Sequence, residues 1–292
     1  MASSPSPPSP RRSAKQHRDL IQRGRKKPSP LGTATFVGLR LLDIPLQYAI
    51  LSPSLDLGRR LLSALHITPI PPITVLSPSL LTTGIPALDG LGAGGAVLLA
   101  MAAGSSLKQI LWVTYLLAEE FTPGAAVTVG LFNAFFNSVN SLLFLAAATT
   151  SLRSLPTVVL SSGGRSSRGM AALPLSIAVG AVLYVTGLAV ETVSEWQRKA
   201  FKARPENAGK VCKVGLWRWA RHINYFGYSL WRGAYAMAAS GWTGGLAVGF
   251  LQGRDLGTRA VDELDEYCGR RYGEQWAQFK REVPYRIIPG IY

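Results

Sequence analysis

Residues 217–233, WRWARHINYFGYSLWRG, gather Arg218, Arg221, His222, Asn224 and Arg232 among large aromatics at the edge of an apolar run. Within it, RHINY sets a planar guanidinium, an imidazole, an amide and a phenol side by side. Arginine pairs with phosphate bidentately, asparagine can read an amide or a ribose edge, and tyrosine or tryptophan stacks on a flat ring. Just upstream, Arg198 and Lys202 are four residues apart beyond an apolar helix, so they share a face and can clamp one phosphate. A phosphorylated, aromatic cofactor is the simplest ligand that uses all of them. The plainer reading is a basic membrane margin that touches anionic headgroups.

Acid chemistry has fewer candidates. Glu191 lies inside an apolar run, where a carboxylate normally faces the protein interior with a partner and can donate a proton if burial raises its affinity for one. Glu119 and Glu120 end another run and read as interfacial acids, with Glu120 kept as a second candidate donor. Asn133, Asn137 and Asn140 share a stripe better suited to tying helices together than to binding substrate. Two distant cysteines and three scattered histidines argue against a metal site or a disulfide framework. The sequence GLGAGGA at 90–96 opens an apolar segment without a preceding strand, so it reads as helix packing in lipid and not as a dinucleotide loop.

These side chains need elements to hold them, and the composition says which solvent those elements face. Hydrophobic residues make up 48% of the 292-residue chain and charged residues 16%, against roughly 25% in soluble domains. The net charge of +15 is carried at the two ends, leaving seven basic residues for positions 31–194. Five stretches approach the ~20 apolar residues that a bilayer span requires: 33–53, 88–118, 124–150, 172–194 and 227–251. Arg40 and Asp43 interrupt the first, Lys108 and GSS the second, and Ser240–Gly241 the last. The expectation is an all-α, polytopic membrane protein with five to seven transmembrane helices. A disordered basic tail over 1–30 precedes a single helical domain over 31–292, and 195–292 carries a C-terminal cytosolic cofactor-binding segment.

The tail lacks a signal-peptide core. The basic flanks near Lys27, Arg198–Arg221 and Arg254–Arg286 all favour the cytosolic side, which requires an even number of spans between them. A Pro-rich stretch at 67–86 reads as a loop. Beyond 252 a polar helix carries Leu264, Tyr267, Cys268, Arg271 and Tyr272 on one stripe.

Three motifs in order give a resemblance over about 187–292. GLWRWARHINYFGYSLWRG resembles the G-x-W-x-x-x-R-H-x-N-Y-x-G motif of the membrane steroid 5-alpha-reductases and the delta-14 and C-24(28) sterol reductases. EWQRKAFK is similar to their QK-x-x-FR step, and CGRRYGEQWAQFKREVPYRIIPGIY to their close. The resemblance implies a helical membrane enzyme of the endoplasmic reticulum that uses NADPH to reduce a carbon–carbon double bond in a hydrophobic substrate.

Carried across, cofactor contacts fall on Arg198, Lys202, Trp217, Arg221, His222, Asn224, Tyr225, Cys268, Arg271 and Tyr272. His222 joins Glu191 and Glu120 as candidate catalytic groups. Leu264, in place of Asp, and Phe279, in place of Tyr, depart from the family pattern. Two other readings stay open. One is an S-adenosylmethionine-dependent methyltransferase of the isoprenylcysteine carboxyl type, which shares RH-x-x-Y-x-G but usually lacks the equivalent of Asn224. The other is a non-enzymatic scaffold that keeps the fold. The expected partners are the bilayer and a hydrophobic small molecule, with no nucleic acid and no protein partner inferable. A mitochondrial membrane is the alternative location.

Overall fold

A computed structural model describes residues 24–71, 85–153, 157–161 and 170–292. Most of the basic tail and the centre of the Pro-rich loop lie outside the described residues. Helices dominate, as expected; one antiparallel strand pair, β1 (Thr157–Ser161) with β2 (Met170–Pro174), is the exception.

Four helices are long and apolar enough to cross a membrane. α1 (Pro30–Leu51) opens with proline in its first turn, where the missing N–H costs no helical bond. The short α2 (Leu57–Ala64) follows. α3 (Gly92–Leu111) runs on through one π turn to Leu116, so Lys108 and GSS do not break it. α4 (Pro123–Leu145) is capped by Thr122, whose hydroxyl accepts from the Ala125 N–H at 3.3 Å. The short α5 (Ala147–Arg153) leads toward the strand pair, and α6 (Leu175–Ala203) completes the four.

The count is four among the described residues, not the expected five to seven. The fifth stretch forms α7 (Ile223–Asp255), whose helical geometry fails at Ser240 and at Gly241, with φ 83°. The chain folds back there, and Gly233 packs against Gly245 and Gly249. A Cβ on Gly241 would sit 2.4 Å from the Leu152 carbonyl, and the Arg153 guanidinium holds the hairpin tip by donating to Ala239 O at 3.0 Å. Each arm is therefore shorter than the ~20 residues of a full span.

α7's first arm runs antiparallel along α6, and α1 lies along α4. Small residues let the first pair touch backbone to backbone: a Cβ on Gly187 would meet the Trp231 nitrogen at 2.6 Å, and one on Gly227 the Glu191 nitrogen at 2.5 Å. Lipid gives helices no hydrophobic reason to associate, so such close packing matters more than in water.

The second pair is tied by polar groups. Arg40 and Asp43, one turn apart, pair at 3.1 Å while fully buried, which is how α1 carries both charges into the membrane. Asn137 donates to Asp43 at 2.7 Å, and Gln47 bonds Asp43, Ser138 and Ser141. Two of the stripe's three asparagines thus tie helices, Asn137 to α1 and Asn133 to α3, where it accepts from Gln109 at 2.8 Å.

α8 (Val261–Tyr272) and α9 (Glu274–Glu282) follow a π turn and lead into the extended C-terminal residues. Gly24 lies against the Tyr267 hydroxyl, which places the described start of the chain on the same face of the bundle as α8.

Replacing Gly187 with valine should push α6 off α7 and lower the apparent melting temperature in detergent by several degrees, on the ~1–3 kcal/mol scale of overpacking. Gly38→Val, where a Cβ meets nothing within 4 Å, should leave it unchanged.

Candidate functional site

The end of α6 presents the basic residues. Arg198 and Lys202 are both exposed on consecutive turns of one face. The Arg198 guanidinium carbon lies 5.6 Å from the centre of the Trp217 ring. Trp217 itself is buried, and its indole N–H donates to the Ser194 carbonyl at 2.7 Å, pinning the 3-10 turn Gly215–Arg218 against α6.

Lys202 donates to the Tyr272 hydroxyl at 3.1 Å and to the Lys210 carbonyl. Arg271 donates to the Tyr267 hydroxyl at 2.6 Å and lies 5.6 Å from the Tyr272 ring. That hydrogen bond raises its already high pKa. The structure thus brings Arg198, Lys202, Arg271, Trp217 and Tyr272 onto one margin of the bundle. None of the three cations pairs with a carboxylate among the described residues.

Arg221 and His222 act mainly on the chain itself. Arg221 is buried and donates to the carbonyls of Val283 at 2.6 Å and Pro284 at 2.9 Å, while the backbone N–H groups of Arg221 and His222 bond Tyr285 O and Arg286 O. Burial lowers the Arg221 pKa, partly offset by Asp265. The His222 ring stacks on Tyr225, 5.6 Å between centres, and meets the edge of Trp276 at 6.3 Å. Asn224, half-buried in the first turn of α7, sits beside this layer.

Cys268 and Tyr272 flank a small core of Val211, Trp276, Phe279 and Val283. Phe279 is 1% exposed there, so a phenyl ring without a hydroxyl suits the position.

Asp265, one residue past the position where the family pattern has an acid, emerges as a link between α8 and α9. It accepts from the Trp276 indole at 2.8 Å and from Lys280 at 3.1 Å. Partial burial would raise its pKa, but these two bonds outweigh that and leave it below the usual carboxylate value.

The candidate acids separate. Glu120 stands at the margin, 2.9 Å from Arg25. Glu191 lies within the helix bundle: one oxygen pairs with Lys108, and the other accepts from the Trp231 indole at 2.7 Å. Glu195 is 3.6 Å from the same lysine. Lys108, Glu195 and Arg232 were not singled out as site residues from sequence. The available signal was the same for each, a charge inside or beside an apolar run.

Against known proteins, a family model described as a protein of unknown function, DUF1295, matches residues 133–252. The probable O-methyltransferase ustE of Ustilaginoidea virens is 35% identical, with 87% of this chain aligned to 84% of it. The delta(14)-sterol reductase of Neurospora crassa is 30% identical, with 40% of this chain aligned to 33% of the reductase. The probable 7-dehydrocholesterol reductase of Acanthamoeba polyphaga mimivirus is 36% identical over 87 residues. The chain spans a third or less of these two reductases' lengths.

Arg221→Ala should free the C-terminal residues, read as faster amide hydrogen exchange across 283–287 with little change in α3 or α4. A pH effect follows from Asp265. Its lowered pKa means that its contribution is present above the ordinary value of 3.8 and is lost as pH falls through the folded value. Exchange in α8 and α9, corrected for intrinsic rates, should rise as pH falls below 3.8 and on through the lower folded value. Asp265→Asn should remove that dependence.

Proposed function

The chain belongs to the steroid 5-alpha-reductase-like family of DUF1295 proteins, and from that premise we propose that it is a membrane-bound reductase using NADPH to saturate a carbon–carbon double bond in a hydrophobic substrate. One observation carries the reading. Arg198, Lys202 and Arg271 form a cationic margin without carboxylate partners among the described residues, edged by Trp217 and Tyr272. NADPH is a polyanion with an adenine at one end and a dihydronicotinamide ring at the other, and such a margin suits it: arginine forks and a lysine for phosphates, a phenol for a ring.

The residues present fit the group. Arg198, Lys202 and Arg271 would hold its phosphates, Tyr272 would line a ring, and Asn224 has an amide with no hydrogen-bond partner among the described residues. The bound cofactor would supply a hydride. The chain's own part is to position and to protonate. Arg221 acts as a positioning residue by holding the C-terminal segment against His222 and Tyr225. Glu191, the candidate acid inside the membrane, is ionised in its pair with Lys108, so the proton for the second alkene carbon would be the one that Lys108 holds against Glu191. The site would open toward the cytosolic face of the endoplasmic reticulum membrane, with both termini on that side.

The second reading, a methyltransferase, is favoured by the name of the Ustilaginoidea relative and the length it shares. S-adenosylmethionine carries a sulfonium cation and has no phosphate, so three unpaired cations match it less well.

Binding of NADPH and of S-adenosylmethionine to the detergent-purified full chain decides between them. Preferential NADPH binding is expected, weakened about tenfold or more in Arg198→Ala, the scale of one hydrogen bond to a charged group, and by a smaller factor in Asn224→Ala. Preferential S-adenosylmethionine binding overturns the reductase, and binding of neither favours a scaffold.

A further inference from the structure

Arg232 lies on the first arm of α7, nine residues beyond Ile223, and is 3% exposed. Its Nε donates to the Tyr228 hydroxyl at 3.1 Å and one terminal nitrogen donates to the Asn133 side-chain oxygen. The faces of Trp231, Tyr228, Phe132 and Phe136 lie 4.5–5.9 Å from its central carbon. The remaining terminal nitrogen, Nη1, is buried without a hydrogen-bond partner among the described residues. No carboxylate pairs with this guanidinium there either. The two acids buried in the spans, Asp43 and Glu191, and the partly buried Glu195 are each engaged by another cation: Asp43 by Arg40, and Glu191 and Glu195 by Lys108. Arg40 is itself close enough to repel Arg232.

An arginine in such a place is costly unless a negative group answers it. Ring faces and two neutral oxygens answer only part of its charge and leave one N–H donor unused. We infer that Arg232 is the intramembrane docking point for a hydrophobic ligand bearing an ionised oxygen, a carboxylate or phenolate, received at Nη1. Depth favours such a ligand over a phospholipid headgroup. At 1.5 Å per residue, Arg232 stands about 14 Å along α7 from Ile223, and its neighbour Trp231 bonds the buried Glu191, so it lies well inside the bundle from the cationic margin where headgroup phosphates would sit. The inference rests on the proposed function only in supposing that a hydrophobic substrate enters the bundle, and it holds for either cofactor.

The test uses the full chain in detergent, with oleate and the tricyclic carboxylate abietate, each beside its methyl ester. The acids should bind at least about tenfold more tightly than the esters, the scale of one charge-assisted hydrogen bond. That preference should vanish in Arg232→Met and persist in part in Arg232→Lys, with folding checked by gel filtration and circular dichroism. Equal binding of acid and ester by the unmodified protein overturns the inference, as does a preference that survives in folded Arg232→Met.

Should that variant not fold, a photoreactive oleate on the unmodified protein decides. Labelling of α4 or α7 peptides, displaced by oleate and not by phosphatidylserine, supports the site. Labelling elsewhere, or displacement by phosphatidylserine, overturns it. NADPH affinity measured on the same preparations reports separately on the proposed function.

Discussion

The carboxylate of Glu191 is the point on which the bundle turns. One oxygen meets Lys108 of α3 and the other meets the Trp231 indole of α7, so three helices converge on one buried group. Such a pair is expensive to bring out of water, and removing one partner from it typically costs about 3–5 kcal/mol. The geometry exists only because Gly187 and Gly227 let α6 and α7 approach to backbone contact around it. Close packing and the buried charge therefore depend on each other.

The same helix carries the argument outward to the membrane margin. One turn past Glu191, the Ser194 carbonyl receives the Trp217 indole, and one turn further Arg198 lies over that ring. Lys202 follows, against Tyr272 of α8. A continuous rod thus links the buried acid to the cationic margin, and helical periodicity fixes their separation without any loop having to do so. The C-terminal segment is laid onto this rod by Arg221, which spends its guanidinium on two backbone carbonyls instead of a ligand.

The buried cations of the four spans follow one pattern, which the arginine of α7 does not share. Arg40 meets Asp43, and Lys108 meets Glu191 and Glu195, each pairing joined by neutral polar neighbours such as Asn137, Ser106 and Trp231. In hydrocarbon, a polar side chain finds a partner within the protein or none at all. Arg232 departs from the pattern, with aromatic faces and neutral acceptors where the other two cations have acids.

Sequence by itself determined the membrane class, four of the spans, the asparagine stripe and the basic margin. Apolar length, charge density and helical spacing are local properties, and each of these features is one. Tertiary structure alone decided which charges meet. Arg40 with Asp43 was one turn away and could be read as an interruption, but Lys108 and Glu191 are 83 residues apart and become partners only across packed helices. It also decided that the stretch at 227–251 folds back at Gly241, because the break is held by Leu152 and Arg153 from another element. The roles within RHINY divided for the same reason: its residue types fit a cofactor, while the carbonyls of Val283 and Pro284, more than sixty residues away, claim Arg221 for the fold.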